Sequence, residues 1–278
     1  MRSRYWLALF ALGPVAALAG GECEFRADRA AGVDAKGVEK VVIKAGAGEM
    51  KVIGRTNAIR IEARGTACTG SQEQLEGTLI NARREGNVVY VETTQPDESG
   101  IHWGKDDYAY INLGIALPAS LPVEAEDSSG DAVFEDLNAL QLADSSGELE
   151  IRRIAGAVEV NDSSGDLTIK GAGSVRANDS SGDIVIEEVR GNVEVPNDSS
   201  GDIHITHVGG SVNIESDSSG GIRVEEVKGS VRVGSDSSGD IYAGRVGGDF
   251  TVESDSSGSI EHESIGGRVK IPSDVAGN

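Results

Sequence analysis

The chain has 278 residues, of which 46 are acidic and 25 are basic, and its formal net charge is -21. This excess of negative charge argues against binding to nucleic acid or to anionic lipid, because no cationic surplus is available to replace phosphate counterions. Aromatic residues make up only 4% of the chain and glycines number 38. The composition therefore predicts many turns and a core of small β-branched residues, and it excludes collagen-like and heptad-repeat proteins.

The first 19 residues are predicted to be a secretory signal peptide. Arg2 and Arg4 form a basic start, an apolar stretch follows from 5 to 19, and Ala17-Leu18-Ala19 matches a cleavage pattern. The protein is therefore expected in the periplasm or outside the cell. No later segment has 18 consecutive apolar residues, so no membrane span is expected.

The two cysteines of the chain, Cys23 and Cys68, both follow this segment. Outside a reducing cytosol, two cysteines are expected to pair. The bridge would close a loop of about 45 residues and stabilise the fold by roughly 3–4 kcal/mol.

Residues 20–122 are predicted to form a β-rich cap with one short helix. Strands are expected within 41–53, as two strands around Gly46-Ala47-Gly48, and at 58–63, 87–92 and 108–117. Ser71 and Gln74 form a capping-box pattern that predicts a helix start. Apolar residues then follow at helical spacing, with a glycine as the stop: Leu75, Leu79, Ala82 and Gly86.

The remainder, 123–278, contains an internal repeat that decides the fold class. The tetrapeptide Asp-Ser-Ser-Gly occurs eight times at steps of 17 to 19 residues. The aspartates that open it are Asp127, Asp144, Asp162, Asp179, Asp198, Asp217, Asp236 and Asp255.

Each repeat unit contains two short strands in which apolar and polar residues alternate. When the units are aligned, apolar residues fall into columns, for example Ile184, Ile203, Ile222 and Ile241. Short strands become stable when successive units stack and bury these columns. The sequence therefore predicts an all-β fold, a parallel β-helix-like solenoid of 17–19-residue coils, with the irregular cap over its first open edge.

The repeat resembles a known family. Ser-Gly-Asp units followed by alternating apolar residues, after an alternating strand and Leu117-Pro118, resemble the bacterial putative-adhesin family of β-strand-repeat proteins. The resemblance covers about residue 40 onward, and the aspartate of the unit is replaced at Glu148, Gly221 and Ser259, so aspartate is not obligatory at that position. It implies a β-solenoid in an envelope setting and defines no catalytic residues. The units that carry it are Ser129-Gly130-Asp131, Ser164-Gly165-Asp166, Ser181-Gly182-Asp183, Ser200-Gly201-Asp202 and Ser238-Gly239-Asp240.

The aspartates that open the repeats should stack, and two carboxylates about 5 Å apart repel by about 3 kcal/mol at an effective dielectric constant of 20. One hypothesis is an Asx turn, in which each carboxylate accepts N–H groups of the following serine and glycine. The other is a row of cations, with Ca²⁺ the best match for carboxylate and hydroxyl oxygens. Either way, the rod is expected to present an acidic edge to a partner.

Other candidate sites are fewer. His204 and His207 could form one pair of zinc ligands, and the segment 99–107 is a candidate binding loop. No enzyme motif is present in the sequence, so no catalytic residue and no cofactor are expected.

The predicted function is an exported, non-catalytic β-solenoid that presents a binding or structural surface to a protein or glycan of the bacterial envelope or exterior. The alternative is a calcium- or carbohydrate-binding β-helix protein, including a carbohydrate-active one. A third hypothesis is self-assembly through the carboxyl-terminal end, where 274–278 would form a weak cap.

Overall fold

A computed structural model describes residues 23–96 and 108–272. Two sheets of twelve strands each enclose one continuous apolar core. The predicted β-solenoid is confirmed.

The amino-terminal part holds eight strands and one short helix. In chain order these are β1 (Phe25–Asp34), β2 (Lys40–Ala47), β3 (Met50–Arg55), β4 (Arg60–Thr69), α1 (Gln72–Gly77), β5 (Leu79–Glu85), β6 (Val88–Thr94), β7 (Ala109–Pro118) and β8 (Pro122–Ser129).

The repeats supply the other sixteen strands. They are β9 (Ala132–Glu135), β10 (Ala139–Asp144), β11 (Leu149–Arg152), β12 (Ala157–Asn161), β13 (Leu167–Ala172), β14 (Ser174–Asn178), β15 (Ile184–Val189), β16 (Val193–Val195), β17 (Ile203–Val208), β18 (Val212–Asp217), β19 (Ile222–Val227), β20 (Val231–Asp236), β21 (Ile241–Val246), β22 (Phe250–Asp255), β23 (Ile260–Ile265) and β24 (Val269–Lys270).

Successive coils stack in register as parallel strands. The first sheet runs β1-β4-β7-β3-β9-β11-β13-β15-β17-β19-β21-β23, and the second runs β24-β22-β20-β18-β16-β14-β12-β10-β8-β2-β6-β5. Ile203 lies between Ile184 and Ile222 of the neighbouring coils, and the three side chains are at most 1% exposed. The predicted apolar columns are therefore confirmed as interior stacks. Outward residues of the same strands, such as His204 and Arg223, stay accessible to solvent.

The solenoid begins before the first Asp-Ser-Ser-Gly. Strands β2 and β3 pair in parallel with β8 and β9, and β6 and β7 pair in parallel with β2 and β3. The β2–β3 coil thus sits between two coils that follow it in the sequence. Its turn contains Gly48, whose φ is +123°, as in the repeat glycines, and Met50 lies beside Ala132.

The amino-terminal end of the stack is covered by antiparallel strands. β4 pairs with β7, β1 pairs with β4, and β5 pairs with β6. A disulfide joins Cys23, just before β1, to Cys68 in β4, as the cysteine content predicts. Strands β1, β4 and β5 therefore cover the first edge of the stack, whereas the other strands of the predicted cap extend the two sheets.

The helix is shorter than its apolar spacing suggests. Ser71 caps it by accepting the N–H of Gln74 at 3.2 Å, and the helix ends at Gly77. Leu79 and Ala82 belong to strand β5, so their assignment to the helix is wrong. The seven residues of β5 pair with β6 and bury Ile80. Sheet pairing outweighs helical spacing here because a six-residue helix is only marginally stable by itself.

Candidate functional site: an aspartate ladder and an edge groove

The first candidate site is the aspartate ladder, which we define as the eight aspartates that open the Asp-Ser-Ser-Gly turns. Each sits where a strand of the second sheet turns toward the first sheet. Asp217 lies in register with Asp236, and Asp236 with Asp255. Seven members are buried, with exposed fractions of 1–5%, and Asp255 in the last full turn is half-buried. The ladder therefore faces the interior, unlike the solvent-facing acidic edge that the sequence suggests.

At six of the eight levels, one carboxylate oxygen accepts a serine N–H in the turn, whereas both oxygens of Asp144 and of Asp198 are unbonded. Oδ1 of Asp179 accepts the N–H groups of Ser180 at 2.7 Å and Ser181 at 3.3 Å. This is the geometry of an Asx turn, but its donors are the two serines. The glycine N–H instead donates to the next coil, as from Gly220 to the Ser238 carbonyl at 3.1 Å.

The other oxygen has no hydrogen-bond partner. Within the described ranges, Oδ2 of all eight ladder aspartates is sealed from solvent and unbonded. An ionised carboxylate in such a position loses its hydration without compensation, which is costly.

Burial accordingly raises the pKa of the seven buried ladder carboxyls above the ordinary value of 3.8. The pKa rises to about 7 at Asp144 and Asp217, where desolvation is the largest cause and the carboxylates on both sides add to it. Burial also raises the pKa of Asp162. Desolvation raises the pKa to about 6 at Asp127, Asp179, Asp198 and Asp236.

Serine hydroxyls tie the same turns together. The second serine donates to the carbonyl of the first serine in the preceding coil, for example Ser219 Oγ to Ser199 O at 3.1 Å and Ser238 Oγ to Ser218 O at 3.2 Å. The repetition of serine thus has a structural cause.

A second, exposed row of aspartates follows the glycines. Asp202 accepts the N–H of Gly221 in the next coil at 2.7 Å, and Asp183 accepts the N–H of Asp202 at 2.9 Å. These carboxylates supply the acidic edge of the rod. The members of the row are Asp131, Asp166, Asp183, Asp202 and Asp240.

The second candidate site is an open groove of about 950 Å³ along the other turn of four consecutive coils. We call it the edge groove. Its lining carries both positive and negative side chains and includes two glycines. The polar and glycine residues that line it are Glu188, Arg190, His207, Gly209, Glu226, Lys228, Arg245 and Gly247.

Four residues of the edge groove share the same unusual backbone conformation. Glu188, His207, Glu226 and Arg245 occupy equivalent positions with φ between 54° and 59°. This left-handed conformation is uncommon for residues other than glycine, and its repetition indicates a backbone that stacking holds in place.

Ion pairs connect most of these side chains. His207 Nε2 lies 2.6 Å from Glu226, and Arg245 lies 3.0 Å from Glu226. Arg190 donates to the carbonyls of Ile154 and Ala155. Among the described residues, the ammonium of Lys228 makes no ion pair or hydrogen bond, so it is available to a ligand; the backbone N–H of Lys228 donates to the Val208 carbonyl at 2.9 Å.

The structure separates the two histidines of the predicted zinc pair. His204 lies on the outer face of β17, whereas His207 binds Glu226 in the edge groove. Across 23–96 and 108–272, no three His, Cys, Asp or Glu side chains converge so as to hold a metal ion.

Three predicted segments lie outside the described residues: the signal peptide at 1–19, the binding loop at 99–107 and the weak cap at 274–278. In the part that is described, no helix is long and apolar enough to cross a membrane.

Solved structures of three bacterial proteins are similar to this chain at low sequence identity. A putative adhesin from Bacteroides fragilis is 11% identical, with 90% of this chain and 98% of that chain covered and a TM-score of 0.42. A putative adhesin from Parabacteroides merdae is 12% identical, with 90% and 97% covered and a TM-score of 0.45. A putative lipid binding protein from Parabacteroides distasonis is 14% identical, with 88% and 96% covered and a TM-score of 0.43.

No curated protein matches the sequence. The model of the family described as Toastrack DUF4097 matches residues 35–264, which is most of both sheets, including the β2–β3 coil that precedes the Asp-Ser-Ser-Gly repeats. The chain therefore belongs to the Toastrack DUF4097 family.

Proposed function

We propose that this protein is an exported, non-catalytic β-solenoid that holds a protein or glycan of the bacterial envelope in its edge groove. The observation that carries the proposal is the groove itself. It spans four coils, and the same left-handed backbone conformation repeats at Glu188, His207, Glu226 and Arg245. A surface built on stacked strands stays in place when a ligand binds, so little conformational entropy is lost on association.

The charge of the edge groove adds to this argument. The rod is strongly acidic, yet Arg190, Lys228 and Arg245 gather at the groove. The ammonium of Lys228 has no hydrogen-bond or ion-pair partner among the described residues, and a ligand that supplies an anionic group at this point would gain a charge-assisted hydrogen bond.

The test compares binding by wild type with binding by Lys228→Glu. Immobilised protein is incubated with envelope fractions and with purified envelope glycans, and the bound component is identified and titrated. Arg176→Glu is the matched control, because it reverses a charge on the outer face of β14, away from the groove. We expect Lys228→Glu to lose at least about tenfold in affinity, which corresponds to about 1.4 kcal/mol, and Arg176→Glu to bind as wild type. Equal affinity of all three proteins would contradict the proposal.

A further inference from the structure

The aspartate ladder contains a buried, unbonded oxygen in every coil, and ligand binding in the edge groove does not explain why. A buried carboxylate oxygen without a hydrogen-bond partner is unfavourable and rare in proteins, yet this chain repeats it eight times. We propose that the aspartate ladder is a proton-binding array, in which part of the carboxyls remain protonated at neutral pH and donate Oδ2–H to a neighbouring carboxylate. This role goes beyond ligand display in the edge groove.

The spacing suits proton sharing. Neighbouring coils of a parallel sheet lie about 4.7–4.9 Å apart, so two inward carboxyls in register can approach by side-chain rotation alone. The carboxyls of Asp144 and Asp162 act on each other's pKa: Asp162 raises that of Asp144, and Asp144 lowers that of Asp162. A proton placed between such a pair satisfies both unpaired oxygens and removes the repulsion between two negative charges.

A proton fits this position better than a metal ion. Calcium takes six to eight oxygen ligands, whereas each level of the ladder offers one buried carboxylate whose Oδ1 is already engaged by the turn at most levels. A shared proton needs only two oxygens, and the ladder provides these at every step.

The surrounding charges favour protonation as well. The side-chain charges that raise the pKa values of the ladder are other carboxylates: the neighbours within the ladder and, for Asp198, Asp183 of the exposed row. The opposing contacts, which favour the ionised form, are serine N–H groups and, at Asp162, the Asp144 carboxyl. Desolvation exceeds these contacts at each of the seven buried members.

The pH dependence follows from the direction of these shifts. The folded pKa lies above the unfolded value, so the protonated ladder stabilises the fold fully below about pH 4, and this stability is lost as the pH rises through 6 to 7. Exposed carboxyls act oppositely at lower pH. Four of them have a pKa lowered by a hydrogen bond, so their contribution to stability is lost only on strong acidification. They are Asp136 with Arg153, Asp240 with Ser259, Asp249 with Arg268 and Glu253 with Arg232. Between pH 8 and pH 5 the ladder dominates, and mild acid should stabilise the protein.

Proton uptake gives the first test, and it needs no variant. At pH 6 the four carboxyls with a pKa of about 6 would be half protonated and the two with a pKa of about 7 nearly fully protonated. Potentiometric titration of the native and the guanidinium-unfolded chain should therefore show about four more protons bound in the native state at pH 6. Equal proton binding in the two states would overturn the proposal.

Variants locate the effect. Asp217→Asn keeps an oxygen for the Ser219 N–H and replaces the unpaired Oδ2 with an amide donor. We expect it to raise the midpoint of thermal unfolding at pH 8 by at least about 4 °C, with a smaller gain at pH 5. Asp202→Asn, in the exposed row one turn earlier, is the matched control and should keep the wild-type pH profile. A profile for Asp217→Asn that matches wild type would refute the proposal.

Calcium separates the two possible occupants of the ladder. Wild type and Asp217→Asn are melted at pH 8 with millimolar calcium chloride or with chelator. Proton binding predicts the same midpoint under both conditions for each protein. A calcium-dependent rise in wild type that Asp217→Asn abolishes would assign the ladder to a cation and overturn the proposal.

Discussion

Replacing a repeat glycine with alanine tests how closely the coils must stack. At Gly220, φ is +133°, a region that is essentially restricted to glycine, and a Cβ there would lie 1.7 Å from the carbonyl oxygen of Gly201 in the preceding coil. The backbone strain costs about 1–3 kcal/mol. To relieve the clash, the two coils must separate by roughly 1 Å or more, which would stretch the 3.1 Å hydrogen bond from Gly201 N–H to the Ser219 carbonyl beyond bonding distance.

The lost hydrogen bond adds about 0.5–1.5 kcal/mol, so we expect Gly220→Ala to destabilise the protein by about 1.5–4.5 kcal/mol. The assay is urea unfolding followed by circular dichroism. Gly86→Ala is the control: its φ is +63° and nothing lies within 4 Å of a Cβ at that position, so only a strain of about 1–2 kcal/mol is expected. If Gly220→Ala costs no more than Gly86→Ala, the inference that glycine is required by contact between coils is refuted.

The other predictions concern the core and the covered end. Ile203→Asp and Val231→Asp place a charge at positions with 0% and 1% exposure. Each should destabilise the fold by more than about 4 kcal/mol and abolish the native circular dichroism spectrum. His204→Asp, on the outer face of the same strand as Ile203, should fold normally, and native spectra for all three variants would contradict the inward columns. Reduction of the Cys23–Cys68 disulfide, which closes a 45-residue loop, should destabilise wild type by about 3–4 kcal/mol, since β1 pairs only with β4 among the described strands. Thermal melts with and without reductant should differ for wild type and coincide for the Cys23→Ser/Cys68→Ser protein. A wild-type melt that reductant leaves unchanged would show that the disulfide adds no stability.

The interior of the solenoid could be predicted from the sequence because its signal is repeated. Ile203 alone is an apolar residue in a strand, but the same residue type at Ile184, Ile222 and Ile241 at nearly constant spacing leaves one arrangement that buries all four. The Asx turns were predictable for the same reason. In the helix, by contrast, a single instance of apolar spacing around Leu79 could not show that β6 would pair with this segment.

Two features depended on contacts between residues distant in sequence. The direction of the ladder aspartates is set at a corner of the coil, where alternation between inward and outward positions gives no guidance, so only the stacked turns show that Asp217 is buried. The edge groove likewise brings together residues of neighbouring coils: a Cβ on Gly209 would lie 2.3 Å from the Arg190 carbonyl oxygen, and one on Gly247 would lie 2.4 Å from that of Lys228. The sequence by itself determined which side chains fill the interior, because burial of a repeated apolar column has one solution; the tertiary structure decided which polar groups are sealed inside and which face solvent, because that depends on the path of each turn and on the coil stacked against it.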